Sequence, residues 1–204
     1  ASTGIPETAP AAAMMAVRMG LVGVFSAVIL CLSYAIVCIC RSLVVMVDAF
    51  CGEVVSAMPL HSVAHVWNLT QAVHRKASAD VEPCLLALCG ILALSIPFLV
   101  VDIAFVGTRS AHLLPGFLVS CGIMYALLAA ATVSEKCGRV PAFINAISFG
   151  AGSERKRQHT VEYIASSAAG FYILDTRLTT SMVAKMMYIW CIVVLGALTR
   201  LTAA

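Results

Sequence analysis

The feature that most restricts this chain is an unbroken apolar run from Gly20 to Cys40, closed by Arg41. As a helix rising about 1.5 Å per residue, such a run is long enough for the roughly 30 Å hydrocarbon core of a bilayer. Similar runs follow at about Val81–Val106, Leu113–Val133 and Met182–Leu198. Hydrophobic residues make up 61% and charged residues 11% of the 204 positions, whereas a soluble domain is roughly 25% charged. One water-soluble domain built from this chain lacks the polar side chains to cover its surface, so the excess apolar area must face lipid or other subunits. The sequence therefore predicts an all-α polytopic membrane protein with about four transmembrane helices plus interfacial helical segments.

On this reading residues 1–18 form an N-terminal arm, and residues 19–133 hold three transmembrane helices with an amphipathic, polar connector at 41–80, whose Trp67 is expected at the membrane interface. Residues 134–180 form a polar basic connector, and 181–204 the C-terminal transmembrane helix. Within 41–60, Asp48 and Glu53 are two carboxylates that a membrane span would tolerate badly. An interfacial helix, or an extension of the first span beyond the membrane, is expected there. The alternative, a fifth span relaying protons, is weakened because five residues turn a helix by about 140°, so the acids share no face. Pro83 is expected in the first turn of the second span and Pro97 to kink it, with Asp102 near its far end within reach of Arg109. Residues 161–174 are expected to lie along the membrane surface.

Loop charge gives an orientation. The two connectors hold Arg41, Arg75, Lys76, Lys136, Arg139, Arg155, Lys156, Arg157 and Arg177, against Arg18, Arg109 and Arg200 on the other side. Both termini are expected opposite the basic connectors, which leaves the Asn68-Leu69-Thr70 sequon on the unglycosylated side. The chain begins without Met, compatible with removal of a targeting peptide.

No motif specific for catalysis or for a metal is present. Net charge is +3 and the longest basic cluster, Arg155-Lys156-Arg157, has no interleaved aromatics, which argues against nucleic acid and for anionic lipid headgroups. His61, His65 and His74 are the candidate cofactor ligands, because His61 and His65 point the same way on a helix. A haem b would need an opposing ligand, and His112, on another membrane helix, falls at the opposite surface. Seven of the nine cysteines lie in apolar runs and act as small hydrophobes, while Cys51 and Cys137 lie outside the clearest spans. Small residues four apart allow close helix contact, which marks Gly20 (after Ala12 and Ala16) and Gly23 (before Ala27) on the first helix and Gly122, Ala126 and Ala130 on the third.

The spans hold almost no polar residue near the bilayer centre, where a transporter, channel or pump places one. The expectation is a non-catalytic accessory subunit of a large membrane complex, bound to other membrane subunits and phospholipids. A respiratory-chain or ATP synthase assembly of the mitochondrial inner membrane is the assembly expected, with no cofactor. The alternatives are a haem- or quinone-binding membrane anchor subunit of an oxidoreductase, and a free-standing tetraspan membrane-organising protein.

Overall fold

The computed structural model describes residues 8–56, 59–105, 113–147, 154–167 and 169–203. The described chain is nearly all helical: α1 (Thr8–Val55), α2 (Leu60–Phe105), α3 (Leu113–Ala146), α4 (Glu154–Ser166), a hairpin of β1 (Tyr172–Ile173) and β2 (Thr176–Arg177), and α5 (Thr180–Ala203). Among the described residues, three helices are long and apolar enough to cross a membrane, over Ala16–Val55, Ser62–Ser95 and Pro115–Ala146. That is consistent with an integral membrane protein. The fourth expected span corresponds to α5, whose apolar stretch Thr180–Gly196 is shorter.

The helices ignore the boundaries suggested by hydropathy. At about 1.5 Å per residue, the 48 residues of α1 and the 46 of α2 extend roughly 70 Å, more than twice a hydrocarbon core. Residues 41–55 continue α1 without a break, and 60–80 are the first half of α2 rather than a linker. Pro83 consequently sits inside a helix, not in a first turn, and its missing N–H leaves the Ala79 carbonyl without its usual donor. α3 likewise runs on to Ala146 through Pro141, into the segment read as connector. Residues 161–174 divide between the end of α4 and the hairpin.

α3 is the central helix. α1 runs parallel to it, with Leu30 beside Gly122, Arg41 bonded to Tyr125 at 3.1 Å and Asp48 to Lys136 at 2.6 Å. On α1 the buried positions are Ile29, Ser33, Ile36, Cys40, Leu43, Val47, Phe50 and Val54. They alternate steps of four and three, the spacing of a coiled-coil seam. α2 buries Val81, Leu85, Leu88 and Leu92 on the same spacing.

The upper halves of α1, α2 and α3, together with α4 and the hairpin, enclose a second part of the core, a head. There Trp67 and Phe171 are each 1% exposed, and the Phe50 and Trp67 rings meet at 5.2 Å. The first half of α1 is different: Met14, Val17, Leu21, Val24, Phe25 and Val28 are all exposed apolar side chains.

Candidate functional site

The groups with chemical potential concentrate in the head, along a polar seam where α4, the hairpin and the start of α5 close over α2 and α3. The seam begins at the C-terminus of α3, whose last carbonyls lack intrahelical donors. Arg157 Nη1 donates to the Asn145 carbonyl at 3.0 Å and the Ile147 carbonyl at 3.4 Å, and its Nη2 pairs with Glu154. A cation at a helix C-terminus and an acid in the first turn of α4 both suit the helix dipoles. Arg157 is thus turned inward and half-buried, whereas Arg155 and Lys156 are exposed. The three basic residues do not form one surface.

At the other end of α4, Ser167 Oγ accepts from Trp67 Nε1 at 2.7 Å and donates to the Ile164 carbonyl at 2.6 Å. Tyr163 donates to Asn68 Oδ1 at 2.5 Å. Trp67 is therefore a buried keystone of the head and not the membrane-interface residue its amphipathic side chain suggested. Asn68 of the sequon is committed to a side-chain bond.

The chain next crosses α3. Gly170 has φ +139, and a Cβ there would lie 3.2 Å from Ser134 Cα, so only glycine lets the backbone come this close. Ser134 Oγ then accepts from Phe171 N at 2.9 Å. Arg177 lies over Gly138 and donates to the Ser134 carbonyl, and at 3.4 Å to that of Ala169. Glu135 receives the N-terminus of α5: its Oε1 accepts from Thr180 N at 3.3 Å and from the Thr180 hydroxyl. Thr179 adds the N-cap, its Oγ1 accepting from Met182 N at 3.4 Å.

Of the candidate ligands, His65 and His74 are not brought together. His65 is exposed on α2 and His74 is 2% exposed, nine residues on and half a turn away around the helix. His74 Nδ1 donates to the Thr70 carbonyl at 2.8 Å, which fixes its tautomer, and the buried Nε2 has no partner among the described residues. Among the described residues no group of three or more His, Cys, Asp or Glu is placed to hold a metal ion. The side chains of His61 and Asp102, and residues Arg109 and His112, lie outside the described residues.

Of the small residues, Ala126 and Ala130 are fully buried, and a Cβ on Gly122 would come within 2.8 Å of Leu30 Cδ2. Gly20 and Gly23 face open space. The seam itself was not foreseen from the sequence. Its one local signal was Ser-Ala-Ala-Gly at 167–170 after an amphipathic stretch, a helix end followed by glycine.

Charged residues bound the apolar stretches of the long helices on the head side. Residues 19–40 of α1, 83–101 of α2 and 113–134 of α3 contain no charged side chain, and Arg41, Glu82 and Glu135 stand at their head-side ends. No protein-family model matches the chain, and neither a curated protein nor a solved structure matches it.

Proposed function

We propose that this chain is a non-catalytic subunit of a larger membrane assembly, crossing the bilayer four times through α1, α2, α3 and α5. The head then sits on the basic side with both termini opposite. The observation that carries the proposal is the uncovered first half of α1, where Val17, Leu21, Val24, Phe25 and Val28 are exposed on a helix long and apolar enough to cross a membrane. The head supports it from the other direction. Glu135, Lys136, Arg157 and Arg177 are each engaged within the chain, which suits a scaffold. Exposed Arg155 and Lys156 suit phospholipid headgroups.

The compartment proposed is the mitochondrial inner membrane, and subcellular fractionation decides it. The subunit role is tested by purification in mild detergent followed by mass spectrometry of the native band. Co-migration with a fixed set of membrane proteins, far above the chain's own 21.5 kDa, is expected. A species containing this chain alone overturns the proposal in favour of a free-standing tetraspan protein.

One observation favours a second reading. A buried imidazole nitrogen without a partner among the described residues, His74 Nε2, is what a haem or quinone ligand presents before its cofactor arrives. An absorption spectrum of the natively purified chain separates this reading from the first.

A further inference from the structure

The hairpin between α4 and α5 descends along α2 towards the apolar half of the molecule. Ser167 is bonded to Trp67, and seven residues later Leu174 N donates to Glu82 Oε1 at 3.3 Å. Fifteen residues of α2 separate those two contacts, a descent of roughly 22 Å at about 1.5 Å per residue. Glu82 is the last charged residue before the charge-free stretch 83–101. On the α3 side, Arg177 and Thr180 engage Ser134 and Glu135, where the charge-free stretch 113–134 ends. The hairpin is therefore clamped between two helices at the level where both become purely apolar.

Its tip is built against ordinary turn chemistry. Tyr172 pairs with Arg177 and Ile173 with Thr176, which leaves Leu174 and Asp175 as a two-residue turn with φ of 48° and 61°. Such a turn suits Asn-Gly or Asp-Gly, and a leucine in the left-handed region is strained. That strained leucine is also 72% exposed, with no core to reward it. A polar or glycine residue would relieve both costs at once if the tip faced only water.

We propose that the hairpin tip is a lipid anchor: Leu174 inserts at the boundary between headgroups and acyl chains, and so fixes the depth of the head on the bilayer. The partner is the lipid surface itself. This rests on the chain spanning a bilayer, but not on its belonging to a complex.

The test uses the full chain alone, reconstituted in phosphatidylcholine vesicles containing anionic lipid. Leu174→Trp is compared with the unaltered chain, so that the emission of Trp67 and Trp190 is subtracted. The added emission is expected to be blue-shifted and quenched most by lipids brominated near the headgroup, less by deep bromines and least by aqueous iodide. Full accessibility to iodide with no quenching by any brominated lipid overturns the anchor. Should Leu174→Trp fail to fold, a photoreactive leucine analogue at residue 174 decides the same question. Phospholipid adducts on its peptide support the anchor, and adducts with water or protein alone overturn it. Retention of the chain in vesicles after carbonate extraction is scored in parallel. If it is lost, the membrane-spanning reading fails as well; if it is kept, only the anchor fails.

Discussion

Replacing Ala126 with leucine tests the contact on which the bundle turns. Ala126 is fully buried on α3, and so are its neighbours Leu127 and Ala130, with Ile123 1% exposed. Leucine adds three carbon atoms to a fully buried site, so the elements packed on α3 must move away or the side chains must leave their rotamers. Overpacking of this kind costs about 1–3 kcal/mol. Lipid offers no hydrophobic drive to compensate lost helix contact. For a chain of this size about 2–4 °C of midpoint accompanies each kcal/mol, so roughly 4–8 °C is expected for a mid-range cost.

Thermal unfolding in detergent, read with a thiol-reactive fluorophore, suits this protein because Cys40 and Cys137 are buried and free. Gly122→Ala is the control. Its new methyl meets only the far end of Leu30, a 38% exposed side chain that can swing away, so a change under about 1 kcal/mol is expected. Tight packing at Ala126 is refuted if Ala126→Leu melts with the unaltered chain, or if Gly122→Ala is the more damaging of the two.

The same assay should show Trp67→Phe losing about 1 kcal/mol for the bond to Ser167, and Trp67→Ala about 3–5 kcal/mol for the cavity; equal costs would mean that packing does not matter there. Asp48→Asn should cost less than about 1 kcal/mol, since the Asp48–Lys136 pair is partly exposed, and the difference should vanish in high salt. Epitope tags at the N-terminus and after Gln158 should become accessible from opposite faces of sealed vesicles; access from one face refutes four crossings. Replacing His61, His65 and His74 together with Gln should leave the visible absorption of the natively purified chain unchanged, and disappearance of a Soret band would transfer the proposal to a haem-binding anchor.

Apolar runs were legible because lipid demands length and hydropathy, which single residues report directly. The packing faces were not. Where both the lipid-facing and the helix-facing sides are apolar, as from Ile29 to Cys40, periodicity has no polar residue to contrast with. The repeat surfaces only beyond Arg41, in Leu43, Val47, Phe50 and Val54, and there Asp48 and Glu53 made the segment look like a connector. Asp48 is accommodated by Lys136, 88 residues away in sequence, and such a partner is invisible to local reading. Trp67 misled in the same manner: an indole with one polar atom fits a membrane interface as well as a buried bond to Ser167. The basic cluster was legible as a cluster, but only the fold shows Arg157 withdrawn to close α3. The hairpin had no signal, because its turn lacks the glycine or asparagine that normally announces one.

The sequence distances within the head set an order of assembly. Trp67 meets Ser167 across 100 residues, Asn68 meets Tyr163 across 95, and Phe171 meets Ser134 across 37. In the order of synthesis α1, α2 and α3 all precede α4 and the hairpin. The head is therefore completed last: until residues 154–178 are made and released, Trp67 lacks Ser167, Asn68 lacks Tyr163 and Ser134 lacks Phe171. A chain that stops before that segment keeps the three long helices but leaves Trp67, Asn68 and Ser134 without the partners that close the head.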